Sequence, residues 1–378
     1  MNILWFSWKD IRHPDAGGAE LVTHDLMRRL VADGHGVTLV TARYRDAAER
    51  DVIDGVTIRR VGNRVTHYAL AARLFVGELR GNAHLVVEVV NTVPYFVSFL
   101  PRAPRVVLFY PQLAREIWFH QMRLPWSAVG YAIEPLYTWL QGRPDNDVVT
   151  ISEDTKEDLV RFGFRPERIR IMTLGISNRP LESVDPKEKE ARFTVLFHSS
   201  LRPMKRPAAV LEAFHLLVRE RPDCQLWMSG AGDQGELRAF CAAHSLDDRV
   251  TFFGRTSDTV KLDLMRRATV LCSTSVKEGW GLVVTEANSM GTPALVYDVD
   301  GLRSASTAGG NWTVKPAPRP LAERLRDVHD LFMNVRGGYD AWCRRVHATT
   351  RRFSFDRSYG DFVAVIEGRP NREQKRAG

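Results

Sequence analysis

The sequence predicts an α/β protein of two doubly wound domains, each a parallel sheet with helices on its faces. Three observations carry that expectation. At 378 residues the chain is longer than one hydrophobic core ordinarily serves. Short apolar runs alternate with helical patterns through glycine-containing loops, and this series starts twice, at Asn2 and at Phe193. Between the two series, Leu174–Ala191 has linker composition, with Pro180, Pro186 and a run of charges. The domains are therefore placed at 1–176 and 190–354, with 177–189 as the linker.

Composition narrows the class. A hydrophobic content of 44% with 19 prolines fits an ordinary globular chain. Met1–Trp8 is apolar but short, lacks a basic n-region and meets Lys9 and Asp10 at once, so it reads as a first core strand and not a signal peptide. No run approaches the roughly 18 apolar residues of a spanning helix. Cys224, Cys241, Cys272 and Cys343 form no Cys-x-x-Cys pair and read as reduced thiols of a cytoplasmic protein. The net charge of +8 is compatible with an anionic substrate or an anionic membrane surface, and no nucleic-acid motif accompanies it.

In order, Asn2–Trp8 is a strand, Ala19–Asp33 a helix ending at Gly34, and Gly36–Thr41 the next strand. With the loop His13-Pro-Asp-Ala-Gly-Gly-Ala-Glu20 between strand and helix, this is a right-handed βαβ unit. A dinucleotide site would need Gly-x-Gly-x-x-Gly there and an acid after the second strand. Gly17 and Gly18 stand together instead, and the strand runs into Ala42-Arg43, so a nicotinamide site is not expected. Val56–Val61, Leu85–Val90 and Arg105–Phe109 read as further parallel strands, and His67–Leu79 as a helix. Trp118, Phe119, Trp126, Tyr131 and Trp139 crowd a helical region beside Arg115 and Arg123. Such a cluster suits a lipid interface or a binding groove, but aromatics of this kind are more often core. Asp147–Ser152 is a strand, Ser152 caps a helix with Glu153 and Asp154 in its first turn, and Arg168–Thr173 is the last strand of this half.

Phe193–His198 opens the second domain. Its first loop carries Arg202 and Lys205 where the strand hands over to a helix opened by Pro207. Cations there are suited to neutralising a departing diphosphate. Gln225–Ser229 with Gly230-Ala-Gly232, and Val250–Gly254 followed by Arg255, are strand-and-turn pairs, and Ser257 caps the helix that holds Lys261. Helices follow at about Pro320–Val335, Gly338–Arg352 and Asp356–Ile366, and Arg369–Gly378 is a charged tail expected to be disordered.

The densest signal lies between the buried strands Ala268–Cys272 and Pro293–Tyr297. Gly279 and Gly281 allow a sharp turn into a helix from about Leu282 to Met290, closed by Gly291. The loop thus delivers amides at a helix N-terminus, which is a site for an anion such as phosphate. Glu278 in the loop and Glu286 in the helix frame it, with seven residues between them. Helical side chains lean toward the N-terminus, so Glu286 can reach the mouth of the loop. Carboxylates should not face phosphate, but each can accept two hydrogen bonds from a vicinal diol. An anion held by amides with a diol reader on either side describes a nucleotide sugar. The plainer reading has Glu286 complementing the helix dipole and Glu278 as a solvated charge. Asp298-Val-Asp300 follows, but a hard cation needs more oxygen ligands than that loop offers, and no metal site is expected.

Glu278-x7-Glu286, set in Lys-Glu-Gly-Trp-Gly-Leu-Val-Val-Thr-Glu-Ala and followed by Gly291-Thr292-Pro293, resembles the signature of the retaining glycosyltransferases with the GT-B fold (group 1, family 4). The resemblance implies two Rossmann-like domains facing a cleft, with the chain from 355 to 378 crossing back onto the N-terminal domain. It implies that Glu278 contacts the donor hexose, that Glu286 holds the ribose hydroxyls, and that the amides of Gly281, Leu282 and Val283 face the diphosphate. It places Gly17 and Gly18 against the donor phosphates and the acceptor, and the loop at Arg255 along the base pocket. Lys205 matches the family's lysine, while Ser200 stands at its usual arginine position and Arg202 is the nearby charge. Many members carry a histidine after the strand that matches Arg105–Phe109. This chain has Tyr110-Pro111-Gln112, so Tyr110 or His120 takes that contact, or the role is absent.

The expected activity is that of a metal-independent, hexosyl-type glycosyltransferase of EC class 2.4. It would move a sugar from a nucleotide-diphosphate sugar, the donor substrate, to an acceptor hydroxyl with retention, and no cofactor is expected. The acceptor class is open among glycan, lipid-linked and small-molecule hydroxyls, in bacterial-type polysaccharide, glycolipid or glycoconjugate synthesis, with peripheral contact at the inner face of an anionic membrane also open. Two other readings keep the same donor site: a nucleotide-sugar epimerase, which needs acids and bases around the hexose C2, and a non-catalytic nucleotide-sugar-binding protein.

Overall fold

The computed structural model describes residues 1–369. The chain forms two compact units, one from Met1–Gly175 with the chain from Ser354 onward, the other from Ile176–Phe353. The expected tail after Arg369 lies outside the described residues.

The N-terminal unit holds an eight-stranded sheet: β1 (Asn2–Phe6), β2 (Gly36–Thr41), β3 (Arg50–Ile53), β4 (Val56–Arg60), β5 (Leu85–Val89), β6 (Arg105–Tyr110), β7 (Asp147–Thr150) and β8 (Ile169–Ile171). Their order is β3-β4-β2-β1-β5-β6-β7-β8. The apolar runs at 2–6, 85–89 and 105–110 are buried on both faces, as parallel strands between helix layers must be. Only β3 runs antiparallel, against β4. It was not expected from the sequence, although Asp54-Gly55 supplies the two left-handed residues of a tight hairpin.

The C-terminal unit repeats the plan with six strands: β9 (Phe193–His198), β10 (Cys224–Ser229), β11 (Val250–Gly254), β12 (Val270–Ser273), β13 (Ala294–Tyr297) and β14 (Trp312–Val314). The order β11-β10-β9-β12-β13-β14 is parallel throughout. The short β14 carries too little pattern of its own and exists by pairing with β13. In each sheet the first strand is flanked by strands reached in opposite directions, β2 and β5 around β1, β10 and β12 around β9. That creates a topological switch point, where doubly wound sheets bind ligands beyond their carboxyl ends.

The terminal helix Phe355–Ile366 belongs to the N-terminal unit. Phe362 lies 5.4 Å from Trp5, and Ser358 Oγ accepts the Gly175 N–H at 2.8 Å. The segment expected as a linker, 177–189, is packed onto the C-terminal unit. Leu181 and Val184 lie against its core. Lys189 is buried, its ammonium donating to the Arg266 carbonyl at 2.8 Å, and burial pushes it down to about 8. Charged composition suggested solvent; the lysine head instead satisfies inward-facing oxygens.

The aromatic cluster at 118–139 also differs from expectation. Trp118 is buried, but Phe119, Trp126 and Trp139 are exposed.

Candidate active site

The loops leaving β9 and β12 meet at the switch point of the C-terminal sheet. After β9 the chain runs along the Gly230–Gly232 turn, with the Leu201 N–H donating to the Ala231 carbonyl at 2.8 Å. Gly230, at φ +142°, lies so close that an added Cβ would stand 1.8 Å from the Ser199 oxygen. A 3-10 turn, Pro203–Lys205, follows and is locked to the loop after β12. The Val276 N–H donates to the Met204 carbonyl at 2.9 Å, and the Thr274 hydroxyl reaches the carbonyls of Lys205 and Arg206, both at 3.0 Å.

These backbone ties deliver Lys205 to Glu278. The ammonium pairs with Glu278 Oε1, and the Ser275 hydroxyl donates to the same oxygen at 2.6 Å. Both charged side chains are mostly but not fully covered, at 15% and 19% exposure, so a ligand can still reach them. Arg202 stands exposed beside them, its Nε donating to Ser200 Oγ at 3.0 Å. Arg202 is thus tied to Ser200, the position at which the resemblance leads one to expect an arginine.

The other side of the Glu278 loop rests on 298–301. The Glu278 N–H donates to the Asp300 carbonyl at 3.1 Å. The Asp300 carboxylate takes the Lys277 ammonium at 2.7 Å and Arg303 at 3.3 Å, while Asp298 accepts from Arg303 at 2.6 Å. Burial works against ionisation of Asp300, but Lys277 and Arg303 hold its carboxyl below the usual range. Gly301, at φ +75°, presses on the loop so closely that a Cβ would stand 2.1 Å from the Glu278 oxygen. The Asp-x-Asp pair is therefore a brace for the loop.

Gly281, in the left-handed conformation, starts the helix Leu282–Ser289, and no side chain caps that terminus. The first-turn amides, Leu282 and Val283 among them, have no acceptor within the helix by geometry. The Trp280 indole N–H donates to Thr285 Oγ1 at 3.0 Å and closes the turn. One turn on, Glu286 accepts from Lys261 at 3.1 Å, and Lys261 also reaches Asp258 at 3.0 Å. Burial raises the Glu286 carboxyl above its ordinary range, with the Lys261 ammonium pulling the other way.

Lys205, Glu278, Gly281, Leu282, Val283 and Glu286 thus fall within one turn-and-helix assembly of the C-terminal unit. Arg255 follows β11, exposed and without a side-chain partner among the described residues. Gly17 and Gly18 belong to the other unit. There the helix Gly18–Ala32 is capped from within, because the Gly17 N–H donates to Glu20 Oε2 at 2.7 Å and Lys9 pairs with the same carboxylate at 3.5 Å. That amide is already engaged by an anion of the chain itself.

Two expectations about the missing histidine are narrowed. Tyr110 is fully buried, edge-on to Phe164 in the core of its unit, so it presents no hydroxyl to a ligand. His120 is exposed on the helix Trp118–Gln121. Sequence reasoning missed His198, the last residue of β9, whose Nδ1 lies 3.2 Å from Ser229 Oγ. Burial, with Lys261 nearby, pushes its imidazole down to about 4. A histidine ending a central strand at the switch point was the available signal. Ser275 and Lys261 also went without a role, since neither interrupts the local pattern.

Comparison with known proteins sets this geometry in context. Residues 178–331 match the family model described as glycosyl transferases group 1, and residues 16–178 match glycosyltransferase family 4. A phosphatidyl-myo-inositol mannosyltransferase of Mycolicibacterium smegmatis is 34% identical over 127 residues, which are 33% of this chain and 32% of that one. The match therefore spans about a third of that relative's length. The crystal structure of WaaG, a glycosyltransferase involved in lipopolysaccharide biosynthesis, superposes with a TM-score of 0.74 at 18% identity over 97% of this chain and all of its own. HepE of Anabaena, solved with UDP and glucose, gives 0.70 at 16% identity over 97% of this chain and 100% of its own. These two likenesses concern the fold, which is GT-B.

Proposed function

Because the chain, matched by group 1 and family 4 glycosyltransferase models across residues 16–331, belongs to the glycosyltransferase family, we propose that it moves a hexose from a nucleotide-diphosphate sugar to an acceptor hydroxyl with retention of configuration. The observation that carries this reading is the Lys205–Glu278 pair beside the uncapped start of the helix Leu282–Ser289. Anion donors and a diol-reading carboxylate stand together there at the switch point of one sheet.

In the proposed reaction the bond from the anomeric carbon to the diphosphate oxygen breaks, and the acceptor oxygen bonds to that carbon on the same face. The departing phosphate oxygen takes the acceptor's proton, so no enzyme base is needed. Lys205, Arg202 and the amides of Gly281, Leu282 and Val283 receive the charge of the leaving group, which makes a metal ion unnecessary. Glu278 orients the hexose and faces the positive charge that develops on the ring. Glu286 accepts from the ribose hydroxyls, and the backbone at Arg255 borders the base. Gly17 and Gly18 would lie against the donor phosphates and the acceptor, with the Gly17 amide itself held by Glu20.

The UDP and glucose bound to HepE support a nucleotide-sugar donor. The names of the mannosyltransferase and of WaaG support an acceptor from glycolipid or surface-glycan synthesis. A cytoplasmic site of action suits such donors, and no described helix is long and apolar enough to cross a membrane.

A thermal-shift panel of UDP-, GDP-, ADP- and TDP-sugars tests the donor site. A ligand at about 100 times its dissociation constant adds about 2.7 kcal/mol of stability. One donor should shift the wild type, and shift Glu278→Ala less. Absence of any shift across the panel would remove the nucleotide-sugar reading. With that donor, the anomeric configuration of the glycoside by NMR tests retention, and an inverted product would overturn it.

A further inference from the structure

His198 ends β9 and has no task in the proposed reaction. Its ring is held at one nitrogen. Nδ1 lies 3.2 Å from the hydroxyl of Ser229, the last residue of β10, and that hydroxyl lies 3.1 Å from Thr256 Oγ1 in the loop after β11. Ser229 is fully buried, so its hydroxyl is committed to these two partners. Nε2, the other nitrogen of the ring, has no hydrogen-bond partner among the described residues. Nor is it enclosed, as the unpartnered Nδ1 atoms of His24 and His215 are. A string of three side chains thus fixes the ring and leaves one nitrogen open to a ligand.

The neighbours indicate which ligand atoms that nitrogen meets. Through Ser229 the ring is tied to Thr256, which follows Arg255, the residue whose backbone is proposed to border the base. Lys261 and Asp258 are the charges that act on the imidazole, and Lys261 holds Glu286, the carboxylate proposed for the ribose, at 3.1 Å. The ring is therefore joined to both ends of a nucleoside site. An ionised carboxylate can only accept, so Glu286 takes protons from a vicinal diol and offers none to the diol oxygens. The Lys261 ammonium is already shared between Glu286 and Asp258. Burial and that ammonium keep the His198 imidazole neutral, with one N–H to place.

We infer that Thr256 donates to Ser229 and Ser229 to His198 Nδ1, which sets the imidazole proton on Nε2, and that this N–H donates to a ribose hydroxyl oxygen of the bound nucleotide. Glu286 and His198 then read the diol together, one as acceptor and one as donor. The inference deepens the transferase reading and rests on its placement of Glu286. Calorimetric titration of the full chain with UDP, GDP and ADP, and with the 2′-deoxy and 3′-deoxy forms of whichever binds, tests it. His198→Asn keeps a polar atom for Ser229 but has no N–H where Nε2 stands. It should bind the ribonucleotide about five- to tenfold more weakly, the loss of one neutral hydrogen bond. His198→Gln carries an amide N–H out to that place and should recover most of the affinity. A role confined to the Ser229 contact would rank the two variants the other way. The deficit of His198→Asn should vanish on one of the two deoxy nucleotides, because the same hydrogen bond is then already missing. The melting temperature of each variant without nucleotide separates a lost contact from a folding defect. Wild-type affinity in His198→Asn, a glutamine variant no better than the asparagine one, or an equal deficit on all three sugar forms would overturn the inference and leave the transferase reading standing. If no nucleotide bound the wild type, both would fall.

Discussion

The two units share a doubly wound plan but use their carboxylates in opposite ways. In the N-terminal unit Glu88, Glu134, Glu20 and Asp10 face inward and fix loops through backbone amides or a buried arginine. Glu88, fully buried on β5, accepts the N–H groups of Tyr95, Phe96 and Val97 at 2.7 to 3.1 Å and the Gln141 amide at 2.9 Å. Glu134 does the same for 114–118, Glu20 caps its own helix, and Asp10 pairs with buried Arg60 at 2.7 Å behind the loop after β1. In the C-terminal unit, Glu278 in the loop after β12 and Glu286 in the helix that follows it meet lysine ammoniums where solvent still reaches. Amide-bound carboxylates are committed, because releasing them orphans buried donors. Lysine-bound ones can change partner, since a flexible ammonium follows a ligand. The same fold thus makes one scaffold whose loops are preset and another whose charges remain exchangeable.

The sharpest test of that contrast pairs one carboxylate from each unit. Glu88→Ala strands the N–H groups of Tyr95, Phe96 and Val97 and the Gln141 amide, and should cost roughly 3–5 kcal/mol, lowering the first melting transition by about 10 °C or more. Glu278→Ala should leave that transition within about 2 °C, because its partner Lys205 still reaches water. Its turnover should fall by about a hundred- to a thousandfold, the usual loss when a group stabilising developing charge is removed. Calorimetry and product formation on the two variants settle the matter. If Glu278→Ala melted as early as Glu88→Ala, or transferred sugar at the wild-type rate, the contrast would break.

Part of this difference was legible beforehand. Lys205 and Glu278 could be named because glycines and strand ends fix where their backbones must lie, whatever the core does. Glu88 could have been flagged, since a carboxylate inside Leu85-Val-Val-Glu-Val89 has to find donors, but which amides it finds depends on the 92–97 loop folding over it. The aromatic cluster misled because side-chain type was weighed without the polar stripe opposite, and Ser127, Glu134, Thr138 and Gln141 become a buried face only once their partners are placed. Segment 177–189 misled for a similar reason: its charges look solvated in sequence, and Lys189 is not. The succession of strands and helices along the chain followed from the alternating pattern, while β3 and β14 depended on pairing with neighbours.

Acid should probe the C-terminal unit through His198. Its folded value near 4 lies below the ordinary 6.5, so in that window the unfolded chain binds the proton and the native one does not. Stability from this group is full above about pH 6.5 and declines as pH falls toward 4, by about 3 kcal/mol at most. Denaturant unfolding at both ends of the window, compared between wild type and His198→Gln, isolates the term. The variant should lose less stability on acidification. Equal losses would mean that His198 is more solvated than its contact with Ser229 indicates, and that this switch point is wetter than the contrast requires.

The smallest expected effect lies with Lys261, and it bears most directly on exchangeability. Its ammonium opposes the burial that raises the Glu286 carboxyl. In Lys261→Met that opposition is gone, so the carboxyl rises further and more of it is protonated at a given pH, when it accepts one fewer hydrogen bond from a diol. Donor affinity should weaken by about tenfold, equivalent to about 1.4 kcal/mol, with turnover at saturation little changed. Raising the pH deprotonates the carboxyl and should restore most of the affinity in the variant, whereas wild type should stay nearly flat across the same range. A KM profile against pH for both proteins separates the outcomes. If the variant's KM rose but did not recover in alkali, Lys261 would be contacting the donor itself and not tuning Glu286. If KM did not change at all, Glu286 would be a fixed structural carboxylate like Glu88, and only the Lys205–Glu278 pair would distinguish the two units.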